Sequence, residues 1–358
     1  MNSEATPSGP DPTPAVHKRR PRYSGKNPRR FEDKYKELNA DKYPDEVAKV
    51  LAAGKTPAGQ HVPIMVTEVL ECLQLQAGQR AVDCTLGYGG HTRAMWERLQ
   101  PGGHLMSLDA DPIELERTLA RLRTDGMGED SFTARRCNFA GLVKALADQG
   151  WAEGADAIFA DLGLSSMQID NPARGFTFKH DGPLDMRLNP QRGKPASAWL
   201  AEMTPENLTL LLEENADEPR AALIAQHLCK AGRQAPLTRT KALAESIRQA
   251  LPRTVSAEDA DATVRRVFQA IRIAVNEEFT VLDSLLRALP ASLKPGGRVA
   301  ILTFHSGEDR RVKKAFQEGL HLGQYSTAAR EVIRATPSEQ HQNPRSAPAK
   351  LRWAIRAE

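Results

Sequence analysis

From His61 to Asp161 the chain alternates short apolar runs with amphipathic stretches, and nothing else in it constrains the fold as tightly. Residues 80–84, 104–109, 132–137 and 155–161 read as buried strands. Residues 66–75, 92–99, 113–122 and 140–149 carry helical spacing. Such alternation predicts parallel βαβ units in a doubly wound sheet. Ligands of such sheets bind at the carboxyl ends of the strands, so the residues that leave those ends are the first candidates for chemistry.

After the fourth strand the alternation stops. Helical stretches are predicted over 196–203, 206–214, 220–231, 241–251 and 263–289, with no convincing strand between 169 and 281. Strand character returns at 298–304, introduced by Lys294-Pro295-Gly296-Gly297. The simplest organisation is an α/β domain interrupted by an all-helical insert. The expected boundaries are a basic, largely disordered extension over 1–56, the first part of the α/β domain over 57–168, the insert over 169–281 and the second part over 282–358.

Composition narrows the function classes. Hydrophobic residues make up 40% and charged residues 26%, as in soluble globular chains, and no apolar run is long enough to span a bilayer. Cys72, Cys84, Cys137 and Cys229 are scattered, without metal-ligand spacing, which fits a reducing cytoplasm and calls for no metal. Seven Lys or Arg and no acid lie between His17 and Arg30. That run reads equally as a contact to nucleic-acid phosphates or as a solvated tail.

Two strand ends carry the chemistry. The first leads into Asp83-Cys84-Thr85-Leu86-Gly87-Tyr88-Gly89-Gly90-His91, a glycine turn that opens a helix and lets backbone N–H groups approach a ligand. A dinucleotide fingerprint would place a third glycine at 92, where Thr92 stands. Asp109 ends the second strand 22 positions after Gly87, where a carboxylate can hold ribose hydroxyls. Phe139, just past the third strand, is a candidate adenine contact or a core residue. The fourth strand releases Asp161-Leu162-Gly163-Leu164-Ser165-Ser166, with Gln168 beyond. An oxidoreductase and a non-catalytic RNA-binding factor are the rival classes; the missing glycine disfavours the first, and the presence of both Asp109 and Asp161 the second.

Those segments, with His61-Val62-Pro63-Ile64, Arg174-Gly175-Phe176-Thr177-Phe178, Asp181-Gly182-Pro183-Leu184-Asp185-Met186-Arg187, Phe268-Gln269-Ala270-Ile271-Arg272, Phe304-His305-Ser306 and Asn343-Pro344-Arg345, resemble the ribosomal RNA small subunit methyltransferase H family. The resemblance runs from His61 to the C-terminus. It implies a Rossmann-like S-adenosylmethionine-dependent methyltransferase sheet with an inserted all-helical domain. It also implies methyl transfer from S-adenosyl-L-methionine to N4 of a decoding-centre cytidine, the 1402 position, of 16S rRNA. The implied partner is the small ribosomal subunit in the cytoplasm, not a membrane, and the oligomeric state stays open, a homodimer included. Carried over by motif, the cofactor residues are Gly89, Gly90, His91, Asp109, Phe139, Asp161 and Gln168, to which the turn itself adds Gly87.

Departures from the family pattern are the basic extension, the segment Asn215-Ala216-Asp217-Glu218-Pro219 and Gly307 after the Phe-His-Ser triplet. For the chemistry, Asp161 or a neighbouring backbone carbonyl is the expected acceptor for an N4 proton, with Ser165 and Ser166 beside it. Asp185 and Arg187 either hold the base or phosphates or form a surface ion pair, and His305 either hydrogen-bonds the base or relays a proton, or is a satisfied structural histidine. Phe176 and Phe178 either stack on an extruded base or anchor a loop. Gln269, Arg272 and Asn276 share one helix face and either line the cleft or stitch the insert to the sheet.

Overall fold

The computed structural model describes residues 63–358. The basic extension expected over 1–56 lies outside the described residues.

A seven-stranded sheet organises the rest of the chain, in the order β3-β2-β1-β4-β5-β7-β6. Strands β1 (Arg80–Asp83), β2 (His104–Asp109), β3 (Phe132–Arg136), β4 (Ala155–Asp161) and β5 (Leu293–Thr303) run parallel. The last two, β6 (Tyr325–Ala328) and β7 (Lys350–Arg356), add antiparallel pairs at the far side. Strand order reverses between β1 and β4, which opens a crevice at their carboxyl ends. Asp83 and Asp161 are the terminal residues of those two strands.

The sheet is buried on both faces, as parallel strands require. Along β4, Ala157 and Phe159 join the core beneath α1 (Val66–Leu73) and α2 (Gly90–Leu99). Ile158 and Ala160 point the other way, into the core with Leu142 and Leu146 of α4 (Leu142–Asp148). The α3 helix (Pro112–Thr124) starts where local chemistry dictates. Asp111 caps it by accepting from the N–H groups of Ile113 and Glu114, and Pro112 takes the first helical position.

Beyond β4 come the short α5 (Ser166–Asp170), an irregular segment, and then five helices: α6 (Ala196–Ala201), α7 (Pro205–Ala216), α8 (Ala221–Gln234), α9 (Thr240–Ala250) and α10 (Ala257–Val275). These build a core of their own. Leu208 and Leu212, Ile224 and Leu228, Leu243 and Ile247, and Val267 and Ile271 recur at i, i+4 on the four longest helices and meet in one cluster. Burying each contributes roughly 1.5–3 kcal/mol. The following α11 (Glu278–Ser292) packs Leu282, Leu285 and Leu289 against the sheet instead. After β5 come α12 (Ser306–His321) and the short α13 (Pro337–Gln342).

Three features differ from the sequence-based expectation. The single helix expected over 263–289 is two helices, because Glu277 adopts a left-handed backbone (φ 53°) after Asn276. The Asn276 side chain donates to the Met186 carbonyl at 2.7 Å and accepts from Leu188 N at 2.7 Å, a tertiary demand that periodicity cannot reveal. Strand β5 starts at Leu293, so the Lys294-Pro295-Gly296-Gly297 turn signal lies inside an irregular strand. Strands β6 and β7 were not foreseen at all. Charged Lys350, Arg352 and Arg356 disguise β7, yet Arg352 is buried and satisfied by Asp309 at 2.7 Å.

Candidate active site

Strand β1 ends in a turn that its own side chains stiffen. Asp83 is fully buried and accepts from Thr85 N at 3.0 Å and from Thr92 Oγ1 at 2.6 Å, which ties the strand end to the first turn of α2. Thr85 Oγ1 in turn accepts from Asp161 N at 2.7 Å, fixing the end of β1 against the end of β4. Gly89 is left-handed (φ 73°), and a Cβ there would stand 3.0 Å from Thr118 and 3.2 Å from Leu122. A Cβ on Gly90 would reach the Pro63 ring at 2.7 Å. The turn therefore holds backbone where side chains do not fit.

Asp109 faces this turn from the end of β2. Its Oδ2 accepts from Gly87 N at 2.8 Å and its Oδ1 from Asp111 N at 2.8 Å, and the residue is half-buried. Phe139 opens the short turn after β3, half-buried against the sheet core.

Asp161 occupies the middle of the crevice. Its Oδ1 is buried with no hydrogen-bond partner among the described residues, and its Oδ2 lies 3.5 Å from His91 Nδ1. His91 Nε2 lies 2.9 Å from the Ile64 carbonyl, which can only accept, so Nε2 carries the proton and Nδ1 presents a lone pair. Burial lowers the imidazole to about 4, so it is neutral near pH 7. Burial pushes the Asp161 carboxyl up to about 8, assisted by the negative charges of Asp83 and Glu308. Asp83 and Asp109 rise to about 7 and about 6, again chiefly by burial. A cation bound beside Asp161 and Asp109 would favour their ionised forms.

These shifts make a prediction for stability. A carboxyl whose folded value exceeds its ordinary 3.8 contributes stability that is complete at low pH and lost as pH rises through the folded value. His91 acts in the opposite sense, but its contribution is already present above pH 6.5. The unliganded protein is therefore expected to lose thermal stability between pH 6.5 and 9, and Asp161→Asn to flatten that slope. Melting curves across this range check it; an unchanged slope in the variant contradicts the assignment.

The segment after β4 braces the site. Ser165 caps α5, its Oγ accepting from Gln168 N at 3.2 Å while Gln168 Oε1 accepts from Ser165 N at 3.0 Å. The Gln168 amide donates to Asp111 Oδ2 at 2.8 Å. Ser165 and Gln168 are thus engaged in local structure, while the Ser166 side chain lies outside the described residues. Arg174 meets the same acceptor: its Nη1 donates to Asp111 Oδ2 at 2.7 Å, and its Nη2 donates to the Arg187 and Leu188 carbonyls at 3.0 and 2.9 Å. One buried aspartate therefore caps α3, next to Asp109, and anchors the loop that carries Asp185 and Arg187.

Within that loop Arg187 grips Asp185 through two bonds of 2.8 and 2.7 Å. Burial opposes ionisation of Asp185, but the Arg187 bonds hold it below its ordinary range. Gly175 (φ 75°) lets two strands of the loop touch; a Cβ there would lie 2.3 Å from the Pro183 carbonyl and 2.7 Å from Asp185 N. Gly175→Ala must displace backbone, so it is expected to raise the KM for the substrate held by this loop more than that for the ligand of the glycine turn. Steady-state kinetics in each substrate check this; equal KM values for wild type and variant contradict it.

Phe176 and Phe178 do not offer a free stacking face. Phe176 is buried in the helical core, and Phe178 meets Phe268 edge-on at 5.3 Å. They anchor the loop. Gln269, Arg272 and Asn276 divide: Gln269 donates to the Asn215 carbonyl at 3.2 Å within the insert, while Arg272 binds Glu278 at the start of α11 through two bonds of 2.8 Å and Asn276 holds the 186–188 backbone.

His305 closes the far side, at the end of β5, with Nε2 3.1 Å from Glu308 Oε1. Glu308 is buried and its Oε2 accepts from Phe304 N at 2.9 Å; burial raises it, but His305, the Phe304 N–H and the Arg272 charge together keep it low. Glu308, Asp111 and Arg174 escaped the sequence-based candidate set. An acid three residues after His305, in the first turn of a helix, was a readable signal for Glu308. The Asp111–Arg174 pair spans 63 positions and left none.

Comparison with known proteins decides the family. The model of the MraW methylase family matches residues 58–357. The chain belongs to that family. It is 49% identical over 346 residues to ribosomal RNA small subunit methyltransferase H 1 of Agathobacter rectalis, covering 96% of this chain and 98% of that one. It is 47% identical over 343 residues to ribosomal RNA small subunit methyltransferase H 2 of Alkaliphilus metalliredigens, covering 95% and 97%. The methyl donor of this MraW methylase is S-adenosyl-L-methionine. The crevice fits it: a glycine cradle, a half-buried Asp109 and an open buried oxygen on Asp161 suit a ribose-bearing cation. No helix among the described residues is long and apolar enough to cross a membrane.

Proposed function

We propose that the chain methylates the exocyclic N4 of a decoding-centre cytidine, the 1402 position, of 16S rRNA in the small ribosomal subunit, acting in the cytoplasm. The observation that carries this reading is Asp161 Oδ1, a buried acceptor without a partner at the strand end beside the glycine turn. In this reading Gly87, Gly89, Gly90 and Asp109 hold the cofactor, with His91, Phe139 and Gln168 shaping its walls. Residues 57–168 and 282–358 form the catalytic domain, and 169–281 form the insert.

Bound S-adenosyl-L-methionine supplies an electrophilic sulfonium methyl. Cytosine N4 is a poor nucleophile because its lone pair is conjugated into the ring, so alignment and proton acceptance are what the protein must add. Asp161 Oδ1 accepts an N4–H, which turns the nitrogen lone pair out of conjugation and takes up the proton as the C–N bond forms. His91 is a poor base for this step, because burial lowers its imidazole to about 4. Its Nδ1 carries a lone pair and cannot hydrogen-bond an ionised carboxylate, so Asp161 is held instead through its backbone N–H to Thr85 Oγ1. A cation beside Asp161 favours its ionised form. The Asp185–Arg187 pair can exchange its internal bonds for a base edge or a phosphate.

Incubation with labelled S-adenosyl-L-methionine tests the substrate. Label is expected in the RNA of unmodified small subunits and not in large subunits. Label in the large subunit, or in neither, overturns the reading.

A further inference from the structure

Helices α11 and α12 enclose a groove of about 750 Å³ that the chemistry above does not use. Its walls carry four cations, Arg287 from α11 and Arg310, Arg311 and Lys314 from α12, against two acids, Asp283 and Glu318. Two of the cations are prearranged. Arg311 lies 3.8 Å over the Phe279 ring and 3.4 Å from Asp283, and Arg310 pairs with Asp217 across 3.1 Å. The Arg310–Asp217 pair is more than half exposed on both sides, and such a pair is readily exchanged for another anion. Arg287 and Lys314 are exposed and pair with no acid among the described residues.

We infer that this groove holds the phosphodiester backbone of the RNA strand next to the target nucleotide. The inference rests on the reading of the crevice as an RNA methylation site, and it names the surface by which the strand is held there.

Position supports the assignment. Helix α12 begins at Ser306, beside His305 at the edge of the crevice, and its basic face starts one turn later. Lys314 lies about 12 Å along the helix from Ser306, close enough for one strand to pass from the crevice into the groove. Composition supports backbone rather than base contact. None of the side chains lining the groove is aromatic, so stacking is absent, whereas guanidinium and ammonium groups suit phosphate oxygens. The groove then fixes register without reading sequence, and identity is left to the crevice.

The double variant Arg287→Ala/Lys314→Ala tests this on the full-length protein with unmodified small subunits. Both residues are exposed and neither touches Asp161, Asp109 or the glycine turn, so S-adenosyl-L-methionine affinity and kcat at saturating subunits are expected to stay at the wild-type level. The Kd and KM for subunits are expected to rise about tenfold, and the slope of log affinity against log salt to fall by about 0.7 per lost phosphate contact. Affinity and salt slope equal to wild type overturn the inference, as does a fall in kcat without a change in KM. A photo-crosslinking residue in place of Lys314 supplies the second arm. Crosslinks to 16S rRNA near the methylated base support an RNA occupant; crosslinks to a ribosomal protein or to a second copy of the chain overturn it. If wild type itself places no methyl on small subunits, it is the function reading that fails; if wild type does and the double variant matches it, only the groove does.

Discussion

Asp161→Asn is expected to lower kcat by about a hundred- to ten-thousand-fold while the fold persists. The amide keeps the size of the carboxyl, and the backbone N–H that joins β4 to Thr85 is untouched. What disappears is the capacity of Oδ1 to take a proton from N4. The KM for small subunits should change little, because the loss falls on the reacting state and not on docking. A single-turnover assay with saturating subunits and cofactor reads this directly. Turnover within a few fold of wild type would remove Asp161 from the proposed role and shift attention to backbone carbonyls of the same loop.

Arg174→Met carries the second large effect, on stability and substrate together. Arg174 and Asp111 are 9% and 0% exposed and bonded at 2.7 Å, so removing the cation strands a buried carboxylate. Breaking such a pair costs about 3–5 kcal/mol. The same change frees the Arg187 and Leu188 carbonyls, so the loop bearing Asp185 loses its brace. A clear fall in Tm is expected, with a raised KM for subunits in the protein that remains folded. Arg174→Lys should recover part of the stability and little of the KM, because one ammonium cannot reach Asp111 and both carbonyls at once. A Tm within a degree or two of wild type for Arg174→Met would contradict the bracing role.

How much of this was legible in the sequence depends on the range of the cause. Strands β1 to β4 were readable because a parallel strand must be apolar on both faces, and the run Ala157–Phe159 declares that locally. The α3 start was readable because Asp111-Pro112 is itself the cap. The break at Asn276 was not, since its amide is spent on the backbone of residues 186 and 188, some 90 positions away. Phe176 and Phe178 were legible as a pair that either stacks on a base or anchors a loop, but the choice between the two was not, because the partner of Phe178 is Phe268 of α10. In the crevice, single residues were nameable from strand ends, whereas the wiring between them was not. Asp109, Asp111, Gln168 and Arg174 form one connected set only after the chain folds.

The departures in the insert also gain a physical account. Asp217, left-handed at φ 47° at the end of α7, accepts from Ser306 Oγ at 3.0 Å and pairs with Arg310. Glu218 is buried and takes Arg266 at 2.6 Å. Gly307 leaves room for the Phe279 ring, which a Cβ would meet at 2.6 Å. Of these, Asp217 joins the insert to α12, the same helix whose basic face lines the groove.

The most direct test of the central claim is the identity of the methylated nucleoside. Small subunits lacking the modification, incubated with the protein and S-adenosyl-L-methionine, should yield N4-methylcytidine at the 1402 position when the 16S rRNA is digested and mapped by mass spectrometry. Methyl on C5 of cytosine, on a ribose hydroxyl or at another nucleotide would contradict the assignment of Asp161 as the acceptor for an amine proton.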